Sequence, residues 1–259
     1  MSHKTKLRHE IISGPHSVKE ALEAGRRTFS GIYCSRPLPA RIADLAADKS
    51  IPVFETTPQE LMKLSGTDQH QHVAAKVTPF RQASLAAVIS TTGSDTVNPG
   101  EGPLYLVIDS VEDPRNLGAL IRTAVCAGVA GVILPRDRCA PLSPAVSRAS
   151  AGAMEHCAIC RVTNLVDTIN VLKKHGVWVT GLDHKSPLSI FDTDMTGPHA
   201  IVTGGEHTGI RRLVAQNCDM LCRIPQFGRV GSLNASVAGA IGMYEALRQK
   251  QAVKKRATS

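Results

Sequence analysis

Ile224-Pro-Gln-Phe-Gly-Arg-Val-Gly-Ser-Leu-Asn-Ala-Ser-Val-Ala-Gly-Ala-Ile-Gly-Met-Tyr-Glu245 is the run on which the fold turns. It reads as a strand end, a glycine-rich loop and a final helix. Ile224 and Pro225 close an apolar run, and Gly228 and Gly231 free the backbone. Ser232 is placed to cap a helix carrying Val237, Ile241, Tyr244 and Leu247 on one stripe. Such a loop offers bare N–H and C=O groups to a ligand. Ala235, Gly239 and Gly242 recur every three or four residues, leaving a second stripe almost without bulk. An internal glycine costs a helix about 1 kcal/mol relative to alanine, so two of them imply a close approach, to a sheet or to a ligand.

Working back from that run, apolar segments at 104–108, 131–134, 158–162, 177–182, 200–203 and 220–224 alternate with helical patterns at 116–127, 144–150, 165–175 and 209–217. Alternation of continuous apolar strands with helices predicts a parallel, doubly wound α/β sheet. Ligands of such sheets sit beyond the carboxyl ends of the strands, where the polar and glycine-rich segments fall here. One of these follows Asp109: Pro114 and Asn116 punctuate a helix start, and Arg122 lies four residues after Gly118, where a guanidinium over a bare backbone can reach a phosphate. Another is Val202-Thr-Gly-Gly-Glu-His-Thr-Gly209, in which Gly204 and Gly205 allow close approach and Glu206 sits near a helix N-terminus. Its glycine spacing is neither the dinucleotide fingerprint nor a P-loop.

The first 80 residues alternate helix and strand on a shorter period and predict a small separate α/β domain. Gly14-Pro15 opens a helix that Gly25 ends, and Thr57-Pro58 opens another that ends at Gly66. Residues 81–102 lose periodicity and read as a helical remnant followed by a flexible linker. The remainder, 103–259, is the larger domain.

Lysine and arginine exceed aspartate and glutamate by 30 to 22, a net charge of +8 that favours a polyanionic partner. Aromatic residues make up only 3%, which argues against base-stacking platforms of the single-strand-binding type. Seven cysteines, an odd number among apolar neighbours, read as reduced thiols. Cys157 with Cys160, and Cys218 with Cys222, have metal-like spacing, but the strand-like setting favours buried thiols, and no metal is expected. With no apolar run long enough to span a bilayer and no leader-like N-terminus, the expected location is the cytoplasm.

Asn116-x-Gly-x-x-x-Arg122, Gly204-x-Glu206-x-x-Gly209 and Ile224-Pro-x-x-Gly-x-x-x-Ser232-Leu-Asn234-x-Ser236 resemble, in order and spacing, the three motifs of the SpoU (TrmH-type) branch of the SPOUT RNA methyltransferases. Leu142-Ser-Pro-x-Val-Ser-x-x-Ser-Ala-Gly-Ala lies between the first two. The N-terminal unit resembles the family's L30e-like RNA-binding domain through Gly14-x-His16-x-Val18 and His70-Gln71. The pattern departs from the family at His72 and His207, where glycine is usual, and at Ala235, where valine is usual.

That resemblance implies a knotted parallel-sheet methyltransferase domain that transfers methyl from S-adenosylmethionine to a ribose 2′-hydroxyl of RNA. The nearest subfamily methylates a guanosine of 23S ribosomal RNA; transfer RNA is the alternative substrate. It implies cofactor contacts at Gly204, Gly205, Ile224, Gly228, Ser232 and Leu233, and a homodimer. Arg122 is the expected catalytic residue. A guanidinium stays protonated, so its expected role is to polarise the hydroxyl and stabilise the developing alkoxide, with Asn116, Glu206 and Asn234 orienting it and the ribose and Ser236 supporting the loop. His16, Lys19, Arg26 and Arg27 are candidate phosphate contacts. A chain lacking residues 1–80 is expected to keep a folded cofactor site. Two rivals remain: a conventional nucleotide-fold methyltransferase, which would need a Gly-x-Gly cluster after its first strand, and a non-catalytic RNA-binding assembly factor.

Overall fold

The computed structural model describes residues 9–90, 102–206, 208–229 and 231–257. Along the chain run β1 (Glu10–Ser13), α1 (Pro15–Ala24), β2 (Phe29–Cys34), α2 (Ala40–Asp48), β3 (Val53–Glu55), α3 (Pro58–Ser65) and β4 (Val73–Val77). Then come α4 (Leu85–Ser90), β5 (Leu104–Asp109), α5 (Pro114–Cys126), β6 (Gly131–Pro135), α6 (Pro144–Ala149), β7 (Ile159–Val162) and α7 (Leu165–Lys174). Last are β8 (Trp178–Leu182), β9 (His199–Gly204), α8 (Arg212–Asn217), β10 (Met220–Cys222) and α9 (Ala235–Ala257). They form two bodies: Met1–Arg81 with Leu142–His156, and Gln82–Pro141 with Cys157–Ser259.

The smaller body is built on a four-stranded sheet in the order β1-β4-β2-β3. Pro15 starts α1 and Gly25, at φ 64°, ends it in the left-handed conformation that a side chain resists. Thr57 and Glu60 close a capping box on α3. Apolar residues at strand and helix spacing, among them Ile12, Val18, Leu22, Ile32, Ile42 and Val77, interlock as its core. The usual glycine position occupied by His72 has φ 65°, and the preceding Gln71 has φ 47°. A non-glycine residue there is strained, and the imidazole is tied down by a 2.9 Å hydrogen bond between its Nδ1 and Ser35 Oγ.

The expected boundary at residue 80 therefore needs correction, because Leu142–His156 belongs to this body. Arg27 explains how. Its Nε donates to Glu155 Oε2 at 3.0 Å, its Nη2 faces Glu155 Oε1 at 2.8 Å, and its Nη1 meets Glu10 Oε2 at 2.9 Å. The two side chains, Arg27 and Glu155, are 1% and 0% exposed. Arg27 is thus a buried structural cation, held by hydrogen bonds from Nε and Nη1 and by the ion pair of Nη2 with Glu155, not the surface phosphate contact the sequence suggested. His156 Nε2 with Glu20 Oε2 at 2.8 Å, and Arg148 Nη1 donating to Ser13 Oγ at 3.3 Å, hold the same segment. Gly152, at φ 81°, lies so close to Glu20 that a Cβ would come within 2.6 Å of it.

The larger body is the expected parallel sheet, in the order β10-β8-β9-β5-β6-β7. Its central strands β5 and β9 run in register from Leu104↔His199 to Asp109↔Gly204 and are buried throughout. The chain leaves these two neighbours in opposite directions across the sheet, so their carboxyl ends form the switch point at which ligands bind in such folds. The helical remnant expected in the linker is a working part of this body: in α4, Val88 and Ile89 are buried among Tyr105, Val107 and Ile133. Residues 91–101 of the expected linker lie outside the described residues.

In α9 the small stripe, not the large one, faces inward. A Cβ on Gly239 would overlap Leu120 of α5, and one on Gly242 would sit 3.1 Å from Ile201 of β9. Val237 and Tyr244, on the bulkier stripe, are 45% and 49% exposed. At the far end of α9, Lys250 donates to the carbonyls of Gly102, Thr196 and Gly197, which lets an ammonium be almost fully buried.

Candidate active site

Three chain turns meet at the carboxyl ends of β5 and β9, all within the larger body. The first is the start of α5. Asp113, not Asn116, is the helix cap, accepting from Arg115 N, and this frees Asn116 in the first turn to point outward. The second turn, after β9, is pinned beneath by Asp109. That carboxylate, 0% exposed, accepts from Arg211 N at 2.8 Å and Arg211 Nε at 2.7 Å. A buried carboxylate needs such full pairing. Gly204 and Gly205 are required sterically: a Cβ on the first would overlap the backbone of Gly209, and on the second the carbonyl of Ser110. The third is the loop into α9, whose cap is Asn234. Its Oδ1 accepts from Ser236 N at 2.8 Å and Ser236 Oγ at 2.6 Å, which relieves Ser232 of the expected capping role.

A single hydrogen-bonded chain links all three. Asn116 Nδ2 donates to Glu206 Oε1 at 2.5 Å, and Asn234 Nδ2 donates to Asn116 Oδ1 at 3.0 Å. Since Ser236 already donates to Asn234, four of the predicted residues form one relay of polar groups drawn from positions 116 to 236. Both amide orientations follow from this pattern of donors and acceptors.

Beside the relay lies a cavity of about 490 Å³. Gly204, Gly205, Glu206, Ile224, Ser232 and Leu233 are among its walls, together with Leu182, Ile210, Ala235 and Ala238 on apolar stretches. Gly228 is not a wall residue. Ala235 stands where the family usually has valine, and its smaller side chain leaves that wall recessed. The sequence reading missed one rim altogether: Asp183, His184 and Lys185, after β8, border the same space. Their polarity reads as a solvated turn, and no local pattern ties them to loops 20 or more residues away. Asp109 and Arg211 were missed likewise, since their pairing spans the chain.

Arg122 stands apart. Gly118, on the same helix face one turn earlier, is buried, whereas Arg122 is exposed and outside the cavity lining. Among the described residues it has no hydrogen-bond or ion-pair partner. In the smaller body, His16 is exposed, Lys19 is held by Glu20 at 3.0 Å with Glu23 at 3.7 Å, and Arg26 is exposed.

The four metal-spaced cysteines are free thiols, and no group of three or more ligating side chains that could hold a metal occurs among the described residues. Burial pushes the thiols of Cys160 and Cys218 up to about 12, so they stay protonated and unreactive. Among the described residues, no helix is long and apolar enough to cross a membrane.

The cavity has the volume of a nucleoside-sized ligand site, with apolar walls for a base and polar rims for a charged tail, so it fits S-adenosylmethionine. A parallel sheet with such a pocket at its switch point, joined to a small α/β body, is the architecture of an RNA ribose methyltransferase. The chain belongs to the SpoU rRNA methylase family, whose profile matches residues 103–244. A second profile, RNA 2′-O ribose methyltransferase substrate binding, matches residues 11–83. Among its relatives is the 23S rRNA (guanosine-2′-O-)-methyltransferase RlmB of Vibrio parahaemolyticus, 37% identical over 252 residues that cover 96% of this chain and 100% of that protein. The putative TrmH family tRNA/rRNA methyltransferase YacO of Bacillus subtilis is 34% identical, covering 95% of this chain and 98% of its own. The AdoMet-bound rRNA methyltransferase of Sinorhizobium meliloti superposes with a TM-score of 0.75 at 28% identity, covering 95% of this chain and 89% of its own. The protein is an S-adenosylmethionine-dependent RNA 2′-O-methyltransferase.

Proposed function

We propose that this enzyme methylates the ribose 2′-hydroxyl of a guanosine in 23S ribosomal RNA, acting in the cytoplasm as a homodimer whose C-terminal segment threads a trefoil knot. The observation that carries the substrate is the 37% identity across the full length of a 23S guanosine methyltransferase. Transfer RNA is the second reading, favoured by the relative named for both RNAs. Mapping 2′-O-methyl positions in ribosomal and transfer RNA from cells with and without the gene decides between them. A site lost from transfer RNA alone refutes the first.

S-adenosylmethionine, when bound, supplies an electrophilic methyl group on a sulfonium. The residues of this chain do the rest. The backbone around Gly204, Ile224 and Leu233, with Gly205 and Ser232, is proposed to hold the cofactor against the apolar wall. Asn116, Glu206 and Asn234, with Ser236 behind them, fix the ribose so that its oxygen lies in line with the transferred carbon. Arg122, with its donors uncommitted among the described residues, is the proposed catalytic cation, stabilising the developing alkoxide while solvent water takes the hydroxyl proton. His16, Lys19 and Arg26 are proposed to contact RNA phosphates, Lys19 only by giving up its glutamate partners. The dimer reading draws support from α9, where Val237 and Tyr244 are exposed on one stripe.

A further inference from the structure

Five Phe, three Tyr and one Trp are all the aromatic residues of this chain, yet two of them meet on one face of a sheet, at its β2–β3 edge. Tyr33 of β2 and Phe54 of β3 are paired in register, so both side chains leave the sheet on the same side. Their rings stack with centroids 5.2 Å apart and planes 24° from parallel. Ile32, the neighbour that points the other way, is fully buried in the core, while Phe54 is 45% exposed. A Cβ on Gly31 would lie 2.6 Å from the Phe54 ring, so the ring is laid down over a bare stretch of backbone and presents its surface to solvent.

The surroundings give this face a sign. Lys76 is in register with Gly31 and leaves the sheet on the same side as the rings. Arg36, two residues past the end of β2, is exposed. Neither cation has a hydrogen-bond or ion-pair partner among the described residues. The nearby carboxylate of Glu55 pairs in register with Cys34 and so leaves on the opposite side. Two rings are too small an area for a stable protein partner, which needs roughly 800 Å² per side. A flat π surface with one uncommitted cation on its own face and a second just past the end of its strand matches a nucleobase with its phosphates.

We infer that Tyr33 and Phe54 form a stacking platform for one unpaired base of the substrate RNA, with Lys76 and Arg36 taking the adjoining phosphates. This rests on the RNA methyltransferase reading of the chain and gives its smaller body a readable contact beyond phosphate steering.

The test uses the full-length protein and a short single-stranded oligoribonucleotide of mixed sequence with 2-aminopurine at its centre. The wild type quenches the 2-aminopurine and prefers the single strand to its duplex. Phe54→Leu, which keeps an apolar cover over Gly31, loses the quenching and weakens binding by roughly 5-fold or more, while Phe54→Trp restores both. Equal affinity of wild type and Phe54→Leu overturns the inference, as does equal loss in Phe54→Leu and Phe54→Trp when both melt like the wild type. Methylation of ribosomal RNA by the wild type and calorimetric binding of S-adenosylmethionine are read separately. If both are intact while Phe54→Leu binds RNA normally, the platform fails and the enzyme reading stands.

Discussion

Glu155→Ala isolates the buried charge pair on which the smaller body depends. The substitution strips Arg27, 1% exposed, of two contacts at 3.0 and 2.8 Å and leaves Glu10, 2.9 Å away, as the remaining carboxylate. Removing one partner of a buried pair costs about 3–5 kcal/mol, and the surviving Glu10 places this variant near the lower end. Arg27→Ala belongs at the upper end, since it orphans a carboxylate with 0% exposure and removes the cation lying 5.4 Å from the Phe80 ring centroid. For a chain of this size, about 3 kcal/mol lowers the melting temperature by roughly 6–12 °C. The double replacement Arg27→Met with Glu155→Leu removes both charges at similar volume and recovers most of the loss. Urea titrations of the four proteins, followed by far-ultraviolet dichroism, measure each term. A loss under about 1 kcal/mol in Glu155→Ala, or a double variant that costs the sum of the singles, refutes the reasoning. The same pair predicts that a chain lacking residues 1–80 cannot keep Leu142–His156 folded, contrary to the simple division read from sequence.

Other expectations follow from the larger body. Asn116→Ala breaks the relay at its middle and should lower kcat at least tenfold while S-adenosylmethionine affinity by calorimetry changes little; an equal loss of both means Asn116 shapes the cavity instead. Arg122→Ala should abolish methylation and leave cofactor binding intact, and loss of cofactor binding alone would contradict its role. Gly205→Ala drives a methyl into the Ser110 carbonyl and should cost about 1–3 kcal/mol in urea stability, together with cofactor affinity. Burial, and then the nearby Lys250, hold His199 down to about 4. The unfolded imidazole titrates near 6.5, so the unfolded chain binds the extra proton first. Stability is therefore full above about pH 6.5 and falls as pH drops toward 4, by about 3 kcal/mol at most. His199→Gln should flatten that part of the pH profile of the urea midpoint.

The order of strands and helices in the larger body was legible because each buried parallel strand is a continuous apolar run. The relay residues were legible too, since glycines and polar side chains cluster in loops that directly follow apolar strands. What sequence misassigned follows one physical pattern, in which a distant partner decides between two locally acceptable readings. Asn116 looks like a cap, but Asp113 takes that place because Asn116 is needed by Glu206 and Asn234. Arg27 looks like a surface cation until Glu155, 128 residues away, buries it. The bare stripe of α9, by contrast, reads from sequence as a place of close approach, and Gly239 and Gly242 do bring Leu120 and β9 against it.

Every wall of the cavity proposed for the cofactor comes from residues between Leu182 and Ala238, whereas Asn116, which the relay needs, is made far earlier. On the ribosome, the strands β5 to β7 can therefore gather while no receptacle for the methyl donor exists. The donor can act as a ligand of the finished protein but not of the early nascent chain, so any help it gives to folding comes only after the last third of the polypeptide has emerged.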